Sequence, residues 1–223
     1  MYDFERATHT HCKVPNYLPS ISAAIGGFTP QRYIWRTCIG LHSAPRFMVA
    51  IAYYNFHMSL ELAQHSKTYG IIAAVACFLH IIENAALLGL TYVASNENHG
   101  VHEKFFIMFL VSSLLYMLLT LILIKWGRSY HGRVMTSNEK YSLKIKFILF
   151  IFNITCCIMA AYTFWRHNAY CEPGAYTTFA ISEYGIVASN IMFHFLWMGY
   201  DMRNTEWIVL GYRVKLKPYD ALV

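Results

Sequence analysis

The chain has 223 residues, of which 57% are hydrophobic, 17% aromatic and only 13% charged. This composition excludes an ordinary water-soluble domain and a disordered chain, so we predict an integral membrane protein. The formal net charge of +6 does not indicate a nucleic-acid partner, because Lys and Arg usually accumulate in the loops on one side of a multispanning protein.

Five apolar stretches are long enough to cross a bilayer as helices, which takes about 20 residues each. They run from about Arg36 to Leu60, Gly70 to Val93, Phe105 to Ile124, Phe147 to Trp165 and Ala175 to Tyr200. We predict an all-α, polytopic membrane bundle that forms one domain over residues 34–202. The distribution of basic residues places residues 1–33 in a lumen and a C-terminal tail, residues 203–223, in the cytosol.

The six cysteines fall into groups according to their predicted surroundings. Cys77, Cys156 and Cys157 lie inside predicted spans, where a free cysteine behaves as a small apolar residue. Cys12 and Cys171 lie in the two predicted lumenal segments, where oxidation is possible. The sequence leaves two alternatives open for this last pair, a disulfide bond or two free thiols.

Polar side chains form stripes on three of the predicted helices when residues are placed at about 100° intervals. The stripes comprise His42, Arg46 and His57 in the first span, His80, Glu83 and Asn84 in the second, and Glu183, Asn190 and His194 in the fifth. We therefore predict that these spans face one another around a polar centre. The third and fourth spans carry no such stripe, which predicts helices that mainly pack or face lipid.

Arg46 lies within the stretch HSAPR, roughly 15 Å below the predicted lumenal edge at about 1.5 Å per residue. Its charge is costly at that depth unless it is paired. We expect an Arg46–Glu83 or an Arg46–Glu183 ion pair, with His42 or His80 within reach. Two interpretations are open: an ion-pair network that fixes the bundle, or a functional pocket in its lumenal half.

The predicted lumenal segments offer candidate lids for such a pocket. One is the Pro-, Ser- and Gly-rich stretch Cys12–Gly27. The short loops add polar residues of types that bind headgroups or phosphate, namely His102, Glu103, Arg166, His167 and Asn168. By contrast, His57 and His194 lie near the cytosolic ends of their spans and are interpreted as structural.

Four long stretches carry a family resemblance: CKVPNYLPSISAAIGG, PQRYIWRTCIGLHSAPRFMVAIAYYNF, HEKFFIMFLVSS and RHNAYCEPGAYTTFAISEY. They resemble the post-GPI-attachment-to-proteins factor 2 family, which belongs with the FGF-receptor-activating protein, the DRAM modulators and the Sfk-type yeast proteins. The resemblance extends from about Cys12 to about Asp201. It implies a bundle of six spans, of which this chain would lack the first.

The resemblance implies a Golgi membrane protein, with the endoplasmic reticulum as a second location, that acts in fatty-acid remodelling of GPI anchors. In that pathway lyso-GPI receives a saturated chain, which stable surface expression of GPI-anchored proteins requires. The implied partners are membrane lipids, the GPI lipid, GPI-anchored proteins, and either the deacylation factor 3 or a separate acyltransferase. No metal or bound cofactor is predicted, and an acyl donor would be a co-substrate.

Two functions remain open at this point. In an acyltransferase, the catalytic candidates His42, His80, Glu83 and Glu183 would provide a general base and a carboxylate that orients it. The substrate-binding candidates would be Arg46, Asn84, Asn190, His102, Glu103, Arg166, His167 and Asn168. The alternative is a non-catalytic scaffold that presents lyso-GPI to a separate enzyme, and the lack of a recognised nucleophile motif favours it.

Overall fold

The computed structural model describes residues 4–59, 66–129, 134–196, 206–209 and 212–215. Its helices are α1 (Phe4–Thr8), α2 (Ile21–Gly26), α3 (Gln31–Met58), α4 (Ser66–Tyr92), α5 (His99–Ser129), α6 (Ser137–Tyr170) and α7 (Ala175–Leu196). Two short antiparallel strands, β1 (Glu206–Val209) and β2 (Tyr212–Lys215), follow in the predicted tail. The predicted all-α membrane fold is confirmed, and this hairpin is an addition to it.

Within the described residues, four helices are long and apolar enough to cross a membrane: α4, α5, α6 and α7. The first predicted span largely coincides with α3, which has 28 residues and continues through Pro45 but is not among these four. The last residues of the fifth predicted span, 197–200, lie outside the described residues, as does most of the predicted tail. The predicted cytosolic side of that tail therefore stays a prediction.

Among the long helices, α4 packs closely against α5, and α6 packs closely against α7. The contact between α5 and α6 is sparser. Alanines on the buried face of α4, including Ala73 and Ala76, allow the helix backbones to approach. Gly185 has the same effect between α7 and α6, because a Cβ added there would lie 2.7 Å from Cys156 Sγ. The cavity that is described below lies at this sparse seam between α5 and α6.

Local capping signals fix where two helices begin. Thr136 and Glu139 form a reciprocal capping box at the start of α6. The Ser20 hydroxyl accepts a hydrogen bond from the Ala23 amide and so caps α2. Because α2 has only six residues, it depends on contacts with the bundle rather than on its own helix propensity.

Residues 12–27, which we call the strap, lie across one end of the bundle. A disulfide joins Cys12 to Cys171, which is one of the two alternatives that the sequence left open. The Tyr17 amide donates to Thr177 Oγ1 at 3.0 Å, and the Ile21 amide donates to Glu183 Oε2 at 2.8 Å. The Tyr176 hydroxyl also donates to Ser20 Oγ, so these three hydrogen bonds attach the strap to α7 in addition to the covalent bond to Cys171.

Candidate functional site

A buried polar cluster lies inside the bundle, where four helices each contribute a side chain. It consists of Arg46 from α3, Glu83 from α4, Ser113 from α5, and Asn190 and His194 from α7. Glu83 Oε1 is the common acceptor, 2.7 Å from Arg46 Nη2, 2.6 Å from Asn190 Nδ2 and 2.9 Å from His194 Nε2. Asn190 also donates to Ser113 Oγ at 2.8 Å. Of the two predicted ion pairs, the structure therefore contains Arg46–Glu83.

His80 lies beside this cluster, fully buried and packed against two other rings. Its ring centroid is 4.5 Å from that of Tyr116 and 4.5 Å from that of His194. Among the described residues, neither ring nitrogen of His80 has a hydrogen-bond partner. His80, Glu83 and His194 place one donor atom each within 4.8 Å of one another, a set that suits zinc or iron. The guanidinium of Arg46 on the same carboxylate opposes a cation there.

The hydrogen bonds of this cluster mainly connect the helices to one another. Asn84 extends it by donating to the Ser43 carbonyl at 2.9 Å, which ties α4 to α3. Arg46 and Glu83 are 6% and 0% exposed, so their charges compensate each other away from water. This arrangement agrees with the first interpretation of the intramembrane charges, a network that fixes the bundle.

A separate cavity of about 450 Å³ lies under the strap, between α5, α6 and α7. Its walls are mainly apolar, with polar groups gathered where the strap covers it. The lining residues include Ser20, Ser22, His102, Glu103, Phe106, Ile107, Leu110, Cys157, Ala160, Ala161, Phe164, Tyr176, Phe179 and Glu183. We call this the strap cavity. Because Arg46, Glu83 and His194 do not line it, the predicted single pocket is in fact two sites.

The polar groups of the strap cavity are arranged around α2. His102 Nδ1 lies 2.6 Å from the Val93 carbonyl oxygen, and its Nε2 lies 2.9 Å from Ser22 Oγ. The Tyr176 hydroxyl donates to Ser20 Oγ at 3.0 Å. The Glu183 carboxylate accepts from the Ile21 amide, so its observed role is to hold α2 in place.

The predicted site residues are distributed over several places. His80, Glu83, Asn84, Asn190 and Arg46 belong to the buried interior, whereas Glu183, His102 and Glu103 line the strap cavity. His42 and Asn168 are exposed, and His167 is buried against the rings of His11 and Tyr176. The structure therefore does not bring His42, His80, Glu83 and Glu183 together as one catalytic group.

Arg166 forms an ion pair with Glu172 in the loop between α6 and α7, with Nε 2.6 Å from Oε2. The hydrogen bond and the charge of Arg166 lower the pKa of the Glu172 carboxyl below its ordinary value. Neither residue lines the strap cavity. His11, Cys12 and His167 also lie together, but the disulfide leaves Cys12 without a thiolate to bind a metal.

Several interior residues were not predicted from the sequence. Ser113 and Tyr116 show that α5 contributes to the polar interior, and Cys157, Ala160 and Ala161 show that α6 lines the cavity. The prediction that these two spans mainly pack or face lipid therefore omitted these contributions to the interior. A search restricted to ionisable residues could not find hydroxyl or small apolar side chains.

His194 shares a predicted stripe with Asn190, and the structure places it on Glu83, within the network that joins the helices, which agrees with its interpretation as structural. The sequence also carried a signal for α2 that the prediction did not use. The start of α2 is marked by Ser20 and its end by the Gly26–Gly27 pair, both of which are readable capping signals.

Comparisons with known proteins agree with the resemblance noted in the sequence. Over residues 1–205 the chain matches the family described as the Frag1/DRAM/Sfk1/Cwh43P N-terminal domain. It is 45% identical over 194 residues to Post-GPI attachment to proteins factor 2 of Caenorhabditis briggsae, covering 86% of this chain and 72% of that protein. It is 48% identical over 174 residues to Acyltransferase PGAP2 of Danio rerio, covering 78% and 73%.

The corresponding protein of Xenopus tropicalis, also Acyltransferase PGAP2, is 42% identical over 209 residues, which cover 94% of this chain and 81% of the relative. No solved structure matches the chain. The family match covers most of the chain, and the relatives' names agree with the resemblance. The chain therefore belongs to the Frag1/DRAM/Sfk1/Cwh43P family.

Proposed function

We propose that this protein acts in the lipid remodelling of GPI anchors, by transferring a saturated acyl chain to lyso-GPI. The names of its relatives, Acyltransferase PGAP2 and Post-GPI attachment to proteins factor 2, support the reaction class and the substrate. We further propose that it works in the Golgi membrane, or in the endoplasmic reticulum, with its C-terminus in the cytosol. Its product would be the form of GPI-anchored protein that is stably retained at the cell surface.

The strap cavity is the observation that carries this proposal. Its volume of about 450 Å³ and its mainly apolar walls suit a long hydrocarbon chain. Its polar lining includes Ser22 on the strap, together with His102 and Tyr176, which hydrogen-bond to strap serines, and an ester or a hydroxyl of a lipid would be held there. An apolar cavity with polar groups at one end is the shape required to bind an amphiphile and orient its reacting end.

A second candidate is a scaffold that binds lyso-GPI and presents it to a separate acyltransferase or to factor 3. The positions of the predicted catalytic residues favour this candidate. Glu83 and His80 lie in the buried interior, away from the strap cavity, and His42 is exposed. Of the four catalytic candidates, only Glu183 lines the cavity, and its carboxylate is already occupied by the Ile21 amide.

Blocking the cavity tests whether it holds the acyl chain. Ala161 lines the cavity, so Ala161→Trp fills space that the chain would occupy. With purified protein in vesicles containing lyso-GPI and a saturated acyl donor, we expect acyl-GPI formation to fall by at least about tenfold, because the ring takes up part of the space that the chain needs. Mass spectrometry of the extracted lipid measures the product.

The matched control is Ala188→Trp, since Ala188 is exposed on α7 and does not line the cavity. It should retain wild-type product formation. Equal rates for the two tryptophan variants would contradict the assignment of the cavity. Product that forms only after a second, purified acyltransferase is added would establish the scaffold instead.

A further inference from the structure

We propose that Ser22 and His102 form a nucleophile–base pair, and that Ser22 Oγ carries the acyl chain as an ester during the reaction. This inference rests on the proposed acyl transfer and adds a catalytic route to it. His102 was predicted only as a substrate-binding residue, and Ser22 was not predicted at all. Both side chains line the strap cavity, on opposite sides of the contact between α2 and α5.

The hydrogen bonds of His102 determine which of its ring nitrogens can act as a base. Nδ1 lies 2.6 Å from the carbonyl oxygen of Val93, and a carbonyl can only accept. In the neutral ring, Nδ1 therefore carries the proton and Nε2 is left with a free lone pair. Nε2 lies 2.9 Å from Ser22 Oγ, so it accepts the serine O–H.

This arrangement contains the three parts that an activated serine requires: a hydroxyl, a base within hydrogen-bond reach, and a group that orients the base. Here the orienting group is the Val93 carbonyl instead of the more common carboxylate. The serine itself is held in position from both sides. Ile21 before it is bound to Glu183, and the Ala23 amide after it donates to Ser20 Oγ.

The surroundings of the pair suit an acyl group better than water. Phe106, Leu110 and Phe179 line the same cavity and provide an apolar wall for the chain. Glu103 and Tyr176 also line it, so polar groups of a lipid would find partners in the same cavity as the serine. A chain placed in the cavity would therefore direct its carbonyl end towards α2.

The proposed reaction has two balanced steps. Ser22 Oγ attacks the carbonyl carbon of a long-chain acyl ester or thioester while its proton passes to His102 Nε2. The donor's C–O or C–S bond breaks, and the departing alcohol or thiol takes that proton. In the second step the lyso-lipid hydroxyl gives its proton to Nε2 and attacks the acyl-serine. Ser22 Oγ leaves and regains the proton, and no oxidant or reductant is consumed.

The same hydrogen bond could instead be a purely structural link between the strap and α5. The test must therefore measure a covalent product. Full-length protein in vesicles is incubated without lyso-GPI, in one arm with dipalmitoyl phosphatidylcholine and in the other with palmitoyl-CoA. Parallel samples of each arm also contain lyso-GPI, and acyl-GPI formation is measured in them. Peptide mass spectrometry then locates the palmitoyl group, and the arm that labels the protein identifies the donor class.

We expect a palmitoyl ester on Ser22 in the wild type, and none in Ser22→Ala or His102→Gln. Ser22→Cys keeps nearly the same size and should form a thioester, which neutral hydroxylamine cleaves while the oxyester of the wild type persists. The sensitivity to hydroxylamine depends on which atom of residue 22 carries the palmitoyl group, so a purely structural role for Ser22 would not produce this change. The matched control is Thr177→Ala, which removes another strap hydrogen bond outside the cavity and should be labelled like the wild type.

Acyl transfer by Ser22→Ala at the rate of Thr177→Ala would overturn the inference, as would labelling of a different residue. A wild type that forms acyl-GPI without becoming labelled would overturn it too. In each case the proposed acyltransferase function stands if acyl-GPI forms in the samples that contain lyso-GPI. If the wild type neither becomes labelled nor forms acyl-GPI from either donor, the proposed function fails together with the inference. The paired samples with and without lyso-GPI therefore distinguish the two failures.

Discussion

Replacing Arg46 by methionine is expected to destabilise the bundle by about 3–5 kcal/mol, because it leaves the Glu83 carboxylate buried without its cationic partner. Glu83 is 0% exposed and uses one oxygen, Oε1, for Arg46, Asn190 and His194. Thermal unfolding in detergent, followed by fluorescence or by loss of helical circular dichroism, measures the effect. A large decrease in Tm is expected.

Two further variants test whether the loss of stability comes from leaving a buried charge unpaired. The double variant Arg46→Met with Glu83→Gln removes both charges and leaves an amide oxygen to accept from Asn190, so most of the lost stability should return. Arg166→Gln breaks an ion pair whose partners are 36% and 45% exposed, and should leave the Tm nearly unchanged, because solvent screens such a pair. If Arg46→Met is as mild as Arg166→Gln, the buried pair does not hold the bundle together.

Removing the disulfide with Cys12→Ser and Cys171→Ser should cost about 2–5 kcal/mol. The bond joins residues separated by 159 positions in the chain, and it fixes the strap over the cavity. Without it, the strap is held mainly by single hydrogen bonds such as those from the Tyr17 and Ile21 amides. We therefore expect faster hydrogen exchange in residues 13–27, measured by mass spectrometry, together with a lower Tm.

The control for this experiment is Cys38→Ser, because Cys38 is an exposed free cysteine in α3. It should leave both the exchange of the strap and the Tm unchanged. Reduction of the wild type should reproduce the exchange pattern of the double serine variant. Exchange in residues 13–27 that is the same in all these samples would show that the strap does not depend on its disulfide.

Helical periodicity predicted most of the buried polar cluster. The stripes of the first, second and fifth predicted spans contain Arg46, Glu83 and Asn190, and the structure joins these three residues. Helical periodicity alone could not decide whether Glu83 or Glu183 is the partner of Arg46. That choice depends on the vertical offset between helices and on the docking of α2, whose Ile21 amide occupies Glu183. Such offsets are tertiary properties that no single helix encodes.

The strap cavity could not be predicted in the same way. A cavity is formed by what side chains leave unfilled, and residues such as Ala160 and Ala161 look like ordinary membrane-helix residues in the sequence. The pairing of Ser22 with His102 joins positions 80 residues apart. It depends on how a six-residue helix docks against the bundle. Polar composition did single out the strap and His102 as parts of the same lumenal region, without indicating their contact.

The sparse seam between α5 and α6 has a consequence for how a lipid would be selected. A chain that slides from the bilayer into the strap cavity along this seam exchanges one hydrocarbon environment for another. Little free energy is gained from dehydration on that route, because the chain is never exposed to water. Affinity would then depend on the headgroup, held by side chains such as Ser20 and Glu103. If the cavity holds the acyl chain as proposed, its apolar walls would select chains by length and straightness.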